Sequence, residues 1–254
     1  MLIALTREVS PDIGNCELTH FARAPIDLGR AQAQHQAYQA CLAEFGCRII
    51  ALPAEPGLPD SVFVEDTALV LDELAVILRP GAPSRRPETA SIAETLKPYR
   101  QLSFIEPPGT MDGGDVLRIG KGVFVGLTSR SNAAGIQQLQ HHLRPYGYGV
   151  EGVPVHGCLH LKSAVTQMAA DTLLTNPAWV DAKLIPKMRR IEVDPTEPNA
   201  ANGLWINDAV IYPTAFPATR QRLESQGIAV RGVDVSELAK AEAAVTCCSL
   251  VFSA

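Results

Sequence analysis

The stretch VLRIGKGVFVGL, residues 116–127, consists of two short apolar runs on either side of the turn Gly120-Lys121-Gly122. Two such runs around a turn that contains glycine are typical of a β-hairpin. The same pattern recurs in TALVLDELAVILRP (67–80), AVTQMAADTLLTN (164–176) and LWINDAVIYP (204–213). The sequence therefore predicts four hairpins, the other three with turns at Asp72-Glu73, Ala170-Asp171 and Asn207-Asp208.

A helical pattern follows each hairpin, at about residues 84–98, 131–144, 177–185 and 214–226. Residues 31–45 are also helical in pattern, but no hairpin precedes them. The chain starts with the strand-like LIALT (2–6) and ends with VTCCSLVF (245–252), and these two would complete a fifth unit if they paired. Five units of about 51 residues fit a repeat architecture. The sequence predicts a single α/β domain, residues 1–254, that forms a ring of five units; the alternative is an ordinary mixed α/β sheet.

Charge and hydropathy exclude several classes of protein. The chain has 22 Lys and Arg against 27 Asp and Glu, a net charge of −5, whereas a surface that follows phosphates is basic. The most apolar run, ALVLDELAVIL from Ala68, is interrupted by Asp72 and Glu73 and is too short to span a membrane. Arg7 and Glu8 stand where an export signal is apolar. We therefore expect a soluble cytoplasmic protein that binds neither nucleic acid nor membrane.

The six cysteines are spread over the chain. Free thiols are the expectation for a protein without an export signal, and most free cysteines behave as small buried apolar residues. Cys247 and Cys248 are adjacent in VTCCSLVF, and neighbours in a strand point to opposite faces. We expect one of the two to face the core and the other to face a different environment.

A residue able to do chemistry stands just before each unit's first strand: Asp66, Asp112, His160, Asn202 and Cys247. Their spacings are 46, 48, 42 and 45 residues, so they occupy equivalent positions in the repeat. Equivalent positions of a five-fold ring converge around its axis. The sequence therefore predicts one cavity that holds two carboxylates, an imidazole, an amide and a thiol.

This combination suits a cationic substrate. A thiol is a poor nucleophile at neutral pH, and a nearby histidine or a cationic ligand stabilises the thiolate. Two buried carboxylates are costly without a cation, and guanidinium pairs with carboxylates through two hydrogen bonds. Arg85 and Arg130 lie 45 residues apart, one repeat, and could hold a carboxylate at the cavity mouth or simply be solvated. The residues favour an arginine derivative as ligand.

Five segments resemble the dimethylarginine dimethylaminohydrolase family in order and spacing: PDSVFVED (59–66), RPGAPSRRPET (79–89), GTMDGGDVL (109–117), HLK (160–162) and TCCS (246–249). The resemblance covers nearly the whole chain and implies the five-bladed α/β propeller of the guanidino-modifying, or pentein, superfamily. It implies hydrolysis of Nω,Nω-dimethylarginine or monomethylarginine to citrulline and the free amine. The implied reaction proceeds through a covalent S-alkylthiouronium and needs neither a metal nor an organic cofactor.

The resemblance also implies roles for single residues. Cys247 is implied as the nucleophile, His160 as the general acid and base, and Asp112 as the third catalytic residue. Asp66 is implied as a second carboxylate for the guanidinium. The remaining implied substrate-binding residues are Asp60, Glu65, Leu18 through its backbone, Arg85 and Arg130 for the α-carboxylate, and Ala241 through a backbone contact.

Two segments depart from the family pattern. Glu242-Ala243 stand where many members have Asp-Gly, so we expect the loop that carries the nucleophile to differ in shape. Residues 14–30, which we expect to form a lid, match the family poorly, and they bear on the choice of substrate.

Three other functions are open at the level of the residues. A sister guanidine or ureido hydrolase, such as an arginine deiminase or a citrulline-cleaving enzyme, would use the same cysteine. A zinc protein could use Cys158, His160 and the Cys247-Cys248 pair, although these spacings match structural zinc sites poorly. A non-catalytic ring could act as a binding module, which would leave the thiol without a use. A monomer and a homodimer are both compatible with the sequence.

Overall fold

Each predicted hairpin is continued by a third strand, which pairs in parallel with the second strand of the hairpin. The computed structural model describes the backbone of residues 1–254 and every side chain except that of Ala182. The strands are β1 Leu2–Arg7, β2 Cys47–Leu52, β3 Ala68–Val70, β4 Leu74–Ile77, β5 Gln101–Phe104, β6 Val116–Ile119, β7 Gly122–Leu127, β8 Gly149–Pro154, β9 Val165–Ala169, β10 Thr172–Thr175, β11 Arg189–Glu192, β12 Leu204–Ile206, β13 Ala209–Pro213, β14 Ala229–Val233 and β15 Leu250–Ser253. Over the described backbone they form five sheets, ordered β3-β4-β5, β6-β7-β8, β11-β10-β9, β12-β13-β14 and β15-β1-β2.

The first and last strands of the chain close the ring. β1 pairs antiparallel with β15, Leu2 opposite Ser253 and Leu5 opposite Leu250, and it pairs in parallel with β2. The two ends of the chain therefore build the fifth sheet, as the sequence predicts. Each sheet is one blade, and the fold is the predicted five-bladed α/β propeller rather than a single mixed sheet.

Two of the hairpin turns depend on residues that tolerate left-handed backbone. Gly120 has a φ of 60° between β6 and β7, and Asn207 has a φ of 53° between β12 and β13. Glycine adopts this region without steric cost, and asparagine visits it more readily than other residues that carry a Cβ. Both turns lie where the sequence predicts them, which fixes the alternation of side chains between the two faces of each hairpin.

The helices are α1 Leu28–Glu44, α2 Thr89–Leu96, α3 Ala133–Leu143, α4 Leu161–Ala164, α5 Pro217–Ser225 and α6 Ser236–Ala239. Polar side chains fix two of the starts: Asp27 accepts the N–H of Arg30 at α1, and Asn132 accepts the N–H of Gly135 at α3. The helices predicted after the first, second and fourth hairpins are confirmed, as is the one within residues 31–45. None of the described helices is both long and apolar enough to cross a membrane.

The helix predicted over residues 177–185 is wrong. The segment holds turns and one short 3-10 helix, Ala182–Leu184. Asn176 accepts a hydrogen bond from the N–H of Ala178, and Asp181 accepts one from the N–H of Lys183. Such bonds to the backbone two residues on compete with helical bonds and favour turns.

The strand predicted over residues 245–252 is wrong in its first half. β15 begins only at Leu250, and Cys247 and Cys248 lie in consecutive turns. The N–H of Cys247 donates to the carbonyl of Ala244, a local bond that an extended strand cannot make. The two thiols still differ in surroundings, because Cys248 is buried in the core whereas Cys247 lines a cavity.

Short helical segments precede the first strands of three blades and place their side chains at one end of the ring. They are Val64–Thr67 before β3, Gly113–Asp115 before β6, and α4 before β9. Apolar clusters between the blades hold these segments in place; the second blade, for example, buries Val123, Val125 and Leu139. Truncation of a buried leucine typically lowers the free energy of unfolding by about 2–5 kcal/mol. Packing of this kind therefore holds the blades in fixed orientations.

Candidate active site

Side chains from three of the five equivalent positions of the repeat line one cavity. One small cavity is lined by Asp66 before β3, His160 before α4 and Cys247 before β15. Asp112 lies directly behind the imidazole of His160. The wall of the cavity further includes Asp60, Arg85, Arg130 and Ala241. The structure therefore brings a thiol, an imidazole and several carboxylates into one place.

Asp112 orients the imidazole of His160. The His160 Nε2 lies 3.1 Å from Asp112 Oδ2, and Asp112 Oδ1 accepts the N–H of Gly81 at 2.8 Å. Burial of the imidazole would lower its pKa, but the charges of Asp66, Asp115 and Asp112 and the Asp112 hydrogen bond raise it to about 9. At neutral pH His160 therefore holds a proton that it can donate.

Asp66 is a permanent anion beside this imidazole. Its Oδ2 accepts a hydrogen bond from Arg85 Nη1 at 2.6 Å, and its Oδ1 accepts the N–H of Gly114 at 2.8 Å. Burial opposes ionisation, but the neighbouring charges of His160 and Arg85 lower the pKa of Asp66 to about 2. The carboxylate is thus ionised at every pH at which the protein would work.

The two glycines of the DGGD motif permit a close approach between blades. A Cβ on Gly113 would collide with the carbonyl oxygen of Glu65, and one on Gly114 would collide with the His160 ring. Because only glycine lacks this atom, the motif needs glycine at both positions. The motif thus places Asp66 and His160 side by side.

The turn that carries Cys247 is fastened to the neighbouring blade. The Cys247 carbonyl accepts the N–H of Glu65 at 3.1 Å, and its Sγ accepts the N–H of Ala244 at 3.4 Å. Burial, together with the negative charges of Glu65 and Asp66, raises the pKa of the thiol to about 12. Cys247 therefore needs additional positive charge nearby to ionise at neutral pH.

Glu65 and Asn202 form a layer behind the nucleophile rather than the wall of the cavity. Glu65 accepts hydrogen bonds from Lys162 Nζ and, at 2.8 Å, from Thr246 Oγ1. The Asn202 amide donates to Thr246 Oγ1 at 3.0 Å. The predicted convergence of Asn202 on the cavity is therefore wrong, because its amide bonds the residue before Cys247. Glu65 is expected to bind the substrate, but its carboxylate bonds Lys162 and Thr246 in this same layer.

Arg85 is committed to acceptors of the protein. Its guanidinium bonds the Glu88 carboxylate at 3.2 and 2.9 Å, in addition to Asp66. Its Nη2 also donates to the carbonyls of Asp60 and Phe63. Burial of Glu88 raises the pKa of that carboxyl to about 7. Arg85 thus organises the carboxylates around it and has few free donors for a ligand.

Arg130 lies in the wall of the cavity and is held more loosely than Arg85. Its Nη1 lies 3.7 Å from Asp112 Oδ2, and its Nη2 donates to Thr19 Oγ1 at 3.1 Å. The Thr19 bond links it to the segment 14–30. Arg130 therefore offers a cation beside the acid–base pair.

Glu242 fastens the lid, residues 14–30, over the cavity. Its carboxylate accepts three successive backbone N–H groups, those of Thr19, His20 and Phe21, at 2.5–3.1 Å. Glu242 itself has a φ of 59°, in the left-handed region that strains residues with a Cβ. The departure from the family pattern at this position thus has a structural role, which sequence analysis detected only as a difference.

Leu18 lies within this lid, half-buried, between two anchored neighbours. On one side the N–H of Glu17 donates to Asp60 Oδ2 at 3.0 Å, and on the other side Glu242 binds Thr19. The cavity has about 20 Å³ of free space in this conformation, enough for one or two water molecules. An arginine-sized ligand therefore requires part of the cavity wall to move.

Three polar groups near the site go beyond those that the sequence predicts. Lys162 lies in the HLK segment that carries His160, and that adjacency was the available signal. Asp115 ends the DGGD motif and was not separated from its neighbour Asp112. Glu88 is an ordinary helix-start acid in the sequence, and only the fold brings it to Arg85.

Three ionisable groups lie close together at the centre of this site. One ligand atom from each of Asp66, Asp112 and His160 lies within 4.8 Å of the others. Arg85 and the backbone already bind both oxygens of Asp66, and Asp112 is bound to Gly81 and His160. A flat guanidinium, which hydrogen-bonds carboxylates in a plane, therefore suits the side of Asp66 that faces the cavity, where Asp60 also lies in the wall.

Comparisons with known proteins point to one family. A family model described as arginine deiminase matches residues 56–216. The N(G),N(G)-dimethylarginine dimethylaminohydrolase of Streptomyces coelicolor is 38% identical over 249 residues, covering 97% of this chain and 95% of that protein.

Two solved structures of dimethylarginine dimethylaminohydrolase have the same fold. The enzyme from Pseudomonas aeruginosa, complexed with citrulline, gives a TM-score of 0.92 at 33% identity over 98% of each chain. An adduct with S-methyl-L-thiocitrulline gives 0.93 at 33% identity, over 99% of this chain and 100% of that chain. Because the likeness in sequence and in fold spans both chains almost completely, this chain belongs to the dimethylarginine dimethylaminohydrolase family, within the arginine deiminase group.

Proposed function

We propose that the protein hydrolyses Nω,Nω-dimethylarginine, and also monomethylarginine, to citrulline and the free amine. The observation that carries the proposal is the convergence of Cys247, His160 and the carboxylates of Asp66 and Asp60 on one cavity, with Asp112 bonded to His160. The relative from Streptomyces coelicolor bears the name of this activity, and the Pseudomonas aeruginosa structure contains citrulline. We also propose that the ring is a single catalytic domain.

The guanidinium binds between the carboxylates of Asp66 and Asp60. Both line the cavity, and Asp66 is ionised at neutral pH. Burial raises the pKa of Asp60, and the charge of Arg85 opposes this shift. A bound cation would likewise favour the ionised form of Asp60. The charge of the substrate thus replaces the solvent that these carboxylates give up.

Substrate binding activates the nucleophile. The thiol of Cys247 has a pKa near 12 because burial and two carboxylates disfavour its anion. A guanidinium within the cavity opposes both effects and lowers that pKa. Since His160 already holds a proton, the thiol proton leaves to solvent, and the N–H of Ala244 stabilises the sulfur anion.

The thiolate of Cys247 then attacks the central carbon of the guanidinium. The C–N bond to dimethylamine breaks, and His160 gives its proton to the departing nitrogen. The S-alkylthiouronium that remains is attacked by water, from which His160 takes a proton. The C–S bond breaks to release the Cys247 thiolate, which takes the remaining hydroxyl proton as citrulline leaves, and His160 keeps the proton that it took from water. Asp112 holds the imidazole in place through both steps.

Arg130 binds the α-carboxylate of the substrate, with a smaller contribution from Arg85. Arg130 lies in the wall of the cavity and makes no hydrogen bond to a carboxylate within 3.5 Å among the described residues. Arg85 instead binds Asp66 and Glu88. Backbone groups of Leu18, in the lid, and of Ala241, in the cavity wall, make further contacts with the substrate.

The cellular setting follows from the thiols. The cysteines of this chain are free, and a catalytic thiol with free neighbours suits a reducing compartment. We therefore place the enzyme in the cytoplasm. Its small-molecule partner is a methylated arginine, and its chemistry uses protein side chains alone.

A substrate panel tests the proposal. Purified protein is incubated with dimethylarginine, monomethylarginine, symmetric dimethylarginine, arginine and citrulline, and the products are followed by mass spectrometry. Citrulline with dimethylamine, and little turnover of arginine, is the expected result. Turnover of arginine alone would contradict the proposed substrate, and the panel includes it because the matching family model is that of arginine deiminases.

The Cys247→Ala variant tests the nucleophile. We expect no turnover, but binding of dimethylarginine by calorimetry, because the carboxylates and Arg130 are intact. The matched control is Cys158→Ala, which removes a thiol that donates only to the carbonyl of His160. Substantial turnover by Cys247→Ala would show that the nucleophile is another residue. Absence of turnover by the wild type toward every substrate, with a Cys247 thiol that resists alkylation, would favour a binding module.

A further inference from the structure

Asp115 is a fully buried carboxylate to which the proposed chemistry gives no task. Its Oδ1 accepts the N–H of Leu161 at 3.0 Å. Its Oδ2 accepts the hydroxyl hydrogens of Thr128 at 2.7 Å and Ser131 at 2.6 Å. These three partners come from two different blades, so one side chain joins three separate stretches of the chain.

Each partner of Asp115 adjoins a residue of the site. Leu161 follows His160 directly and begins α4, so its N–H fixes the backbone that carries the imidazole. The Ser131 hydroxyl, which donates to Asp115, accepts the N–H of Asp112 at 3.1 Å. The chain of hydrogen bonds thus runs from Asp115 to both members of the acid–base pair.

The third partner reaches the arginine in the cavity wall. Thr128 Oγ1 donates to Asp115 and accepts the N–H of Arg130 at 3.0 Å. It also accepts the N–H of Ser131 at 3.3 Å. The turn that presents Arg130 is therefore built around a hydroxyl that Asp115 orients.

We propose that Asp115 is a positioning residue that holds His160, Asp112 and Arg130 in one common geometry. The inference rests on the proposed function and extends it, because it links the acid–base pair to the carboxylate-binding arginine through one buried group. A misplacement of about 1 Å costs on the order of 10²-fold in rate, so this anchor has catalytic consequences without touching the substrate.

The chemistry of the anchor explains why it is a carboxylate. Both hydroxyls already accept backbone N–H groups, so their hydrogens must find an acceptor. An ionised carboxylate only accepts, whereas an asparagine amide presents a donor on one side. Gly126 passes close to Asp115 Oδ1, so the side chain has little room to rearrange. The change Asp115→Asn therefore keeps the shape of the side chain, but its amide NH₂ would face the N–H of Leu161 or the hydroxyls of Thr128 and Ser131, which are themselves donors.

A merely structural role would change stability alone, and the charge around His160 distinguishes the two cases. The charged groups that face His160 are Asp66 in the segment before β3 and Asp112 and Asp115 in the segment before β6. Removal of one negative charge lowers the pKa of His160. An Asp115→Asn protein should thus show a lower His160 pKa as well as slower turnover.

The experiment compares Asp115→Asn with Asp194→Asn. Asp194 accepts from Thr196 and Arg222 in a turn far from the site, so it controls for loss of a hydrogen-bonded carboxylate. Turnover of dimethylarginine is measured well below each protein's melting temperature. We expect kcat of Asp115→Asn to fall about 100-fold and that of Asp194→Asn to stay within twofold. A kcat within threefold of wild type for Asp115→Asn would overturn the proposal.

Two milder variants keep the test valid if Asp115→Asn does not fold. Ser131→Ala releases Asp112 and should lower kcat about tenfold, whereas Thr128→Val releases Arg130 and should raise KM by a similar factor. If both variants changed kcat and KM equally, or changed neither, Asp115 would not position Asp112 and Arg130 through separate hydroxyls.

Titration of His160 by NMR, in histidine-labelled wild type and Asp115→Asn, needs no substrate. We expect a lower pKa in the variant, and an unchanged pKa would count against the anchor. If the wild type turned over no substrate, the proposed function would fail, while this titration would still decide the role of Asp115.

Discussion

At the scale of single residues, His160 is governed by three carboxylates that outweigh its burial. They raise its pKa to about 9, so the imidazole is protonated in the resting site. A general acid is useful only while it holds its proton. Burial, together with the charges of Glu65 and Asp66, holds the Cys247 thiol protonated until a cation arrives. The site is therefore set with its acid ready and its nucleophile inactive.

The pH dependence of turnover follows from this state. We expect kcat/KM to fall as pH rises through about 9, because His160 loses the proton that the leaving amine needs. His160→Gln should lower kcat by about 10²- to 10⁴-fold. The matched control is His141→Gln, at an exposed position late in α3. A wild-type profile that stays flat beyond pH 10 would contradict this assignment.

Single residues also show how far sequence reaches. Asp66, Asp112, His160 and Cys247 could be found because they occupy equivalent positions in a repeat of 42–48 residues. Asn202 occupies an equivalent position too, yet its amide turns to Thr246. Spacing specifies where the backbone lies, whereas the direction of a side chain depends on partners that are distant in sequence.

At the scale of elements, the lid and the nucleophile loop act on each other through Glu242. Three lid N–H groups converge on its carboxylate, and Ala244, two residues later, donates to Cys247 Sγ. The strained φ of 59° at Glu242 is offset by these bonds. Closure of the lid and the geometry of the nucleophile are therefore joined in one short loop.

The variant Glu242→Gly tests the backbone strain at residue 242 separately from the hydrogen bonds that its carboxylate accepts from the lid. The variant relieves the left-handed backbone but leaves the lid without an acceptor. We expect KM for dimethylarginine to rise about tenfold, with a melting temperature equal to or above that of wild type. Faster hydrogen exchange of the amides of Thr19, His20 and Phe21 should accompany the change.

Glu224→Gln is the control for this prediction, because Glu224 is an exposed acid that pairs with Arg220 in α5. It should leave KM and the lid amides unchanged. Glu242→Gln keeps an acceptor without its charge and should give an intermediate KM. Wild-type exchange rates for the lid amides in Glu242→Gly would show that other contacts hold the lid.

Elements were predictable where the signal was local. The β6–β7 turn is specified by its glycines, and the start of α3 by Asn132, within a few residues. The helix predicted over residues 177–185 is wrong because the apolar spacing there is helical, whereas the side chains of Asn176 and Asp181 accept backbone hydrogen bonds that favour turns. The strand predicted before Leu250 is wrong because the apolar and β-branched residues there form a buried turn.

At the scale of the whole molecule, the ring explains why the two ends of the chain matter as much as its centre. β1 and β15 complete one blade, and the nucleophile immediately precedes β15. Closing the ring therefore also delivers the thiol to the axis. The five-fold arrangement was predictable because four hairpins and two terminal strands are countable in one dimension. The depth of the cavity was not, since it depends on the lid.

The buried titratable groups of the site make the stability of the whole protein depend on pH. His160 has a pKa raised to about 9, Glu88 one raised to about 7 and Asp115 one raised to about 6. A group whose folded pKa is raised contributes stability below its unfolded pKa, and this stability is lost as pH rises through the folded pKa. Stability should thus fall in two stages, through the range of the two acids and then through that of His160.

We expect a melting temperature at pH 9.5 that is lower than at pH 6. The shift of His160 from 6.5 to about 9 corresponds to about 3 kcal/mol, or on the order of 5–10 °C for a chain of this size. Calorimetric scans across this range measure the loss. In His160→Gln the stage between pH 6.5 and 9 should disappear, while the stage from Glu88 and Asp115 below pH 7 persists. A wild-type melting temperature that rises between pH 6 and 9 would mean that the three carboxylates do not hold a proton on His160, and the proposed acid would have to be sought elsewhere.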